Sequence, residues 1–185
     1  NYDPHYLRQT DFQAVYVETK VNMVDAFSNL VTSDNYNVSR FFSTDFDKVL
    51  IEKLSSKEYD IVHLESLFMT PYIRTIRRCS NAKIVLRSHN LEYMIWQRTA
   101  EGAGNIAKKF YLKYLAKQLK QYEISIMGQV DGIAAISAED MQKYHGFGCD
   151  VPLSTIPFGI DVPDYRPTEL ASENGNCLFH IGAMD

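Results

Sequence analysis

Apolar residues recur along this chain with two different periods, and the two alternate. Residues 83–87 carry the unbroken apolar run Ile84, Val85 and Leu86, which predicts a strand buried on both faces. Residues 60–65 (Asp-Ile-Val-His-Leu-Glu) predict a second buried strand, residues 132–136 a third and residues 153–157 a short fourth. Residues 12–18 alternate and are aromatic, which also predicts a strand. Between these runs the period lengthens to that of a helix. Phe46, Val49, Leu50 and Leu54 form one stripe over residues 44–54, with Thr44 as cap and Asp47 three residues on. Residues 70–78 predict a short helix with Pro71 in its first turn. Residues 92–100 predict another, ended by Gly102 and Gly104. Leu112, Leu115, Leu119, Tyr122 and Ile126 line one face of a long helix over Ile106–Met127. Ser137 and Asp140 open a last short helix that runs to Tyr144.

Strands that alternate with helices predict an α/β fold: a Rossmann-like three-layer sandwich with a mostly parallel sheet, helices on both faces and right-handed crossovers. Residues 158–175 differ in kind, with Gly159, Pro163, Pro167 and Gly175 among polar residues. The expected organisation is a domain over residues 1–158, a linker over 159–175 and, from 176 to 185, the first strand of a second domain that is cut short.

Charge and cysteine usage narrow the class. A net charge of −4 gives no reason to expect nucleic acid as a partner. No apolar run approaches the roughly 20 residues that span a bilayer, and no secretory signal opens the chain. Cys79, Cys149 and Cys177 lack metal-ligand spacing and cannot all pair, which fits a reducing cytoplasm. In that setting Asn37-Val38-Ser39 is a chance match to a glycosylation acceptor.

Three predicted strands end in polar groups: Glu65, then Ser88, His89 and Asn90, then Ser137 and Glu139. In a parallel sheet all carboxyl ends share one edge, where open α/β sheets bind ligands. An imidazole both donates and accepts near neutral pH, so His89 suits a phosphate or a sugar hydroxyl. Plainer roles compete: Ser88 and Ser137 as helix caps, Glu65 as a solvated carboxylate. A capped helix start can still favour an anion. Asp45-Phe46-Asp47 matches an Asp-x-Asp metal pattern, but in the first turn of an amphipathic helix its acids complement the dipole, and no metal is expected there. Lys109, Lys113, Lys117 and Lys120 make a basic stripe on the long helix. Such a stripe can rest on anionic lipid. It can equally be a solvated face, which the need to cover the sheet favours. Gly102-Ala103-Gly104 and Gly146-Phe147-Gly148 lack the setting of phosphate loops, and no nucleophile motif surrounds any Ser or Cys.

Five segments in register, Tyr59 to Glu65, Lys83 to Glu92, Gly132 to Asp140, Thr155 to Asp161 and Leu178 to Asp185, resemble family 4 glycosyltransferases of the GT-B fold. The resemblance runs from about Phe12 onward. It implies two Rossmann-like domains facing across a cleft, this chain being mainly the N-terminal, acceptor-side one. It implies sugar transfer from a nucleotide-sugar to a carbohydrate or glycolipid acceptor, with retained anomeric configuration, no required metal and no cofactor, in bacterial polysaccharide biosynthesis. The setting is cytoplasmic, with peripheral contact at the inner face of the membrane left open. His89 matches the family's strand-end histidine, which contacts the transferred sugar or phosphate. Gly159 matches the hinge glycine, beside a Phe158 that is usually smaller or polar.

Two departures shape the expectation. Residues 1–20 contain no glycine, where the family has a glycine-rich loop after its first strand. The donor-gripping glutamates belong to the C-terminal domain. The chain alone is therefore expected to transfer no sugar, with His89 as its catalytic residue and Glu65, Ser88, Asn90, Ser137, Glu139 and Gly159 placed for substrate. The rival reading is a non-catalytic α/β module that binds a phosphorylated or sugar ligand.

Overall fold

A computed structural model describes residues 10–17 and 36–159. One turn of helix, α1 (Tyr36–Ser39), precedes α2 (Thr44–Ser56) and strand β1 (Ile61–Glu65). A 3₁₀ segment over Leu67–Tyr72 runs into α3 (Ile73–Cys79), and β2 (Lys83–Ser88) follows. Then come α4 (Glu92–Glu101), α5 (Ile106–Met127), β3 (Gly132–Ala135), α6 (Ala138–Gly146) and β4 (Leu153–Thr155). The four strands form one sheet in the order β1-β2-β3-β4, all parallel. The chain is an α/β protein with the parallel sheet that its alternating periods predict.

The core forms where the strands' apolar positions meet the helix stripes. Leu64, Ile84, Leu86 and Ile133 are buried from the sheet, and Leu54, Ile76, Leu119 and Ile126 from the helices. Fully burying side chains of this size contributes about 1.5–3 kcal/mol each. Tyr72 is buried too, and its hydroxyl joins the chain before α2 to the 3₁₀ segment. It accepts from the Ser43 amide at 2.8 Å and donates to the Phe41 carbonyl at 2.9 Å.

Several expectations need correction. Residues 11–17 form no strand; Lys53 Nζ lies 2.9 Å from Asp11 Oδ2 and ties the segment to α2. The alternation there reflects Val15 lining a groove with Phe46 and Leu50 while Phe12 and Tyr16 are exposed. Ser43, rather than Thr44, caps α2. The strand β1 is not buried on both faces. Only Leu64 is buried, and Ile61 is 58% exposed. Pro71 sits inside the 3₁₀ segment, ahead of α3. The linker at 160–175, the strand at 177–182 and Cys177 lie outside the described residues. Cys79 and Cys149 are free and half-buried. No helix among the described residues is long and apolar enough to cross a membrane.

The start of α4 has no side-chain cap of its own, because buried Leu91 occupies the cap position. Glu123 of α5 supplies the cap from across the hairpin. Its Oε1 accepts from the Glu92 amide at 2.7 Å and its Oε2 from the Tyr93 amide at 3.3 Å. Burial pushes the Glu123 carboxyl up to about 8, against the pull of those two amides. Burial pushes the Glu92 carboxyl up as well. Above the ordinary value of 4.5 the unfolded chain loses protons that the folded chain keeps. Folded stability therefore falls as pH rises through the window from there to about 8. Urea midpoints are expected to drop between pH ~5 and ~8, and Glu123→Gln, which keeps an acceptor without the titration, to flatten most of that drop. Glu123→Ala leaves two amides unpaired and should cost about 3 kcal/mol.

Candidate functional site

Parallel register builds the site at the carboxyl edge of β1 and β2. Glu65 is the cross-strand partner of Arg87, and His63 lies two residues back on the same face as Glu65. His89 follows the end of β2. Three side chains converge on the Glu65 carboxylate. His89 Nε2 is 2.7 Å from Oε1, His63 Nε2 is 3.0 Å from Oε2, and Arg87 Nε is 3.7 Å from Oε1. Burial raises the Glu65 carboxyl, but the His89 hydrogen bond and the charges of Arg87, His63 and His89 outweigh it and hold it below the usual carboxylate range.

Phe158, in the segment after β4, flanks the group from a third side. The Arg87 guanidinium lies 4.8 Å from its ring centroid, and the His89 ring meets it edge-on at 5.5 Å. That segment is held against the sheet where the Ile156 amide donates to the Ala135 carbonyl at 2.7 Å. The Arg87 Nε is buried and has no hydrogen-bond partner, its carboxylate neighbour being too distant for one. The result is an ionised carboxylate, two imidazoles, a partly exposed guanidinium and a Phe158 ring that is 61% exposed. Such a set can accept and donate to hydroxyls, favour an anion, and offer an apolar ring face.

The other predicted residues fall at different depths. Ser88 is buried, and its hydroxyl accepts from Tyr144 at 2.8 Å and donates to the Asn90 carbonyl at 3.0 Å. It therefore holds the loop beneath His89, while Asn90 is exposed at the edge. Ser137 caps α6, accepting from the Asp140 amide at 3.1 Å. Its strand neighbour Ala135 pairs with Ser88, so Ser137 and His89 follow adjacent strand ends. Glu139 is bound along its own helix to Lys143 at 2.7 Å, and that bond holds its carboxyl below the ordinary value. Among the described residues neither Ser137 nor Glu139 bonds to the Glu65 group. Gly159 is exposed, next to Phe158, with open space around it. Asp45 is paired with Lys48 at 3.1 Å. No cluster of three His, Cys, Asp or Glu side chains among the described residues is arranged to hold a metal.

His63, Arg87 and Phe158 are site residues that sequence reasoning passed over. Period-two alternation marks His63 and Glu65 as sharing a face, and parallel register then brings in Arg87. Phe158 stands out in the sequence only as a departure beside the hinge glycine, and nothing there places it against Arg87 and His89. Ser66 was also passed over. It has φ 90° and ψ 158°, a region that non-glycine residues seldom occupy. Three bonds hold it there: its amide donates to the Arg87 carbonyl at 3.0 Å, its hydroxyl accepts from the Phe68 amide at 3.2 Å, and its carbonyl accepts from the Met69 amide at 3.2 Å. Ser66 thus fixes the direction in which the chain leaves Glu65. Ser66→Ala keeps the strain and loses the cap, and should lower stability by about 1–2 kcal/mol. Ser66→Gly also loses the cap but relieves the strain, so its thermal midpoint is expected above that of the alanine variant. The reverse order would show that the backbone here is unstrained.

No family model, curated protein or solved structure matches the chain, so the chemistry of this edge is argued from its geometry.

Proposed function

We propose that the chain is the acceptor-side domain of a retaining glycosyltransferase that passes a sugar from a nucleotide-sugar to a carbohydrate or glycolipid hydroxyl. The observation that supports this reading most is the Glu65–His89 pair, 2.7 Å apart at the carboxyl edge of a parallel sheet. A carboxylate that orients an imidazole gives a hydroxyl both an acceptor and a donor in fixed relation. Phe158 offers the apolar face on which a sugar ring can stack. Arg87, whose guanidinium is partly exposed and charged, favours a ligand oxygen that carries negative charge.

On this reading the work of the site is positioning. His89 contacts the transferred sugar or its phosphate, Glu65 and Asn90 orient hydroxyls, and Arg87 stabilises charge on a departing diphosphate. Ser88 and Ser66 act through these residues as positioning groups. The grip on the nucleotide is assigned to a second α/β domain.

The test is titration of the 185-residue chain with saccharides, sugar phosphates and nucleotide-sugars, followed by amide chemical shifts. Shifts are expected to cluster at Glu65, Ser66, His89 and Asn90. Loss of a charge-assisted hydrogen bond in His89→Ala should weaken binding about tenfold or more. No release of nucleoside diphosphate by this chain alone is expected. A panel in which no sugar or sugar phosphate moves those amides would remove the reading.

A further inference from the structure

The outer face of α5 is unusual for a helix packed on a sheet. Leu112, Ala116, Leu119 and Ile126 are buried on its inner face. At about 100° per residue the opposite face carries Ile106, Phe110, Lys113, Lys117 and Ile124. Ile106 is 74% exposed and Phe110, one turn on, is 71% exposed. The helix holds five lysines and a single acid, Glu123, which is buried. A chain with net charge −4 therefore presents one ridge on which large apolar side chains and ammonium groups alternate without a carboxylate.

The four-lysine stripe expected from sequence resolves into two kinds. Lys120 lies 5.2 Å from the centroid of the Tyr93 ring and 4.9 Å from that of Phe147, which directs its charge onto α4 and the end of α6. Lys109 is half-buried. Lys113 and Lys117 remain exposed, and they line a groove of about 340 Å³ between α4 and α5 together with Lys120, Tyr93 and Gln97, where Glu101 of α4 is the single acid facing three lysines.

From this arrangement we infer that the outer face of α5 docks on an anionic lipid surface, with Phe110 and Ile106 entering the headgroup layer and Lys113 and Lys117 meeting its phosphates. Charge complementarity selects this occupant. Three lysines against the one acid of the groove, Glu101, leave this face net cationic, and a bilayer of acidic lipid matches such a ridge without having to place paired acids. The contact is peripheral, because no helix among the described residues can span the bilayer. It rests on α5 alone, so it stands or falls independently of the sugar site.

The test is co-sedimentation of the 185-residue chain with vesicles of phosphatidylcholine and phosphatidylglycerol, against phosphatidylcholine alone. Binding is expected only to the mixed vesicles. Each exposed lysine near such a surface is worth about 1 kcal/mol, so K113Q/K117Q should weaken binding about 25-fold. K113R/K117R should retain it, and I106S/F110S should weaken it about tenfold or more. All four positions of change carry solvent-facing side chains, and unchanged melting points check that the fold survives. Absence of binding to mixed vesicles, or equal binding by K113Q/K117Q, would overturn the proposal. So would Phe110-dependent self-association in lipid-free buffer with no vesicle binding, which would assign the face to a second copy of the chain.

Discussion

Everything at the sheet edge hangs on a carboxyl that belongs to another helix. The first amides of α4 follow the end of β2 after only three residues, and Leu91 at the cap position has no polar atom to offer them. Glu123 reaches across from α5 and takes two of them. Burying a carboxylate there would carry a large desolvation cost. Burial raises its pKa to about 8, which limits that cost by disfavouring the ionised form, and a carboxyl that carries a proton keeps its carbonyl oxygen as an acceptor. The position of this cap matters more than its strength, because it locks the path by which the chain leaves β2 and carries His89.

A second hold acts at the start of the same turn. Tyr144 of α6 is almost wholly buried and donates to Ser88, which donates to the Asn90 carbonyl. With α6 holding Ser88 and α5 holding the amides of Glu92 and Tyr93, the turn that carries His89 is fixed at both ends. The ion pairs around Glu65 are too exposed to stabilise the fold by much, each being worth under about 1 kcal/mol. Against them stand the strained Ser66 backbone and the unpartnered Arg87 Nε. A cluster that returns so little stability while local strain gathers beside it is more readily explained by ligand binding than by folding.

The sheet was legible because its strands are short apolar runs that no helix of this length would repeat, and Ile84 and Leu86 are buried as expected. The segment at residues 11–17 misled because alternation reports two unlike faces, and a stretch lying along α2 also has two unlike faces. The site was half legible. Strand ends point to Glu65 and His89, and the 2.7 Å contact brings them together. His63 and Arg87 required register, which periodicity alone does not supply, since a parallel pairing shifted by one residue would turn Arg87 away from Glu65. Phe158 and Glu123 act over sequence separations of about 70 and 30 residues, and no local pattern announces such contacts.

The two faces of α5 divide the labour of one helix, and they meet at α4. Glu123 binds the amide of Tyr93, while Lys120, three residues before it, lies against the ring of the same tyrosine. The first turn of α4 is therefore clamped through both backbone and side chain, and it cannot tilt against α5 without losing two interactions of different kinds. Whatever orients α5 in space then orients the loop carrying His89. A hydroxyl acceptor on a lipid approaches from a plane rather than from bulk water, and a domain that serves it has to present its edge at a set angle to that plane. An outer face with inserted Phe110 and Ile106 on the same helix as Glu123 would set that angle, and it would do so without any residue of the Glu65–His89 group touching lipid.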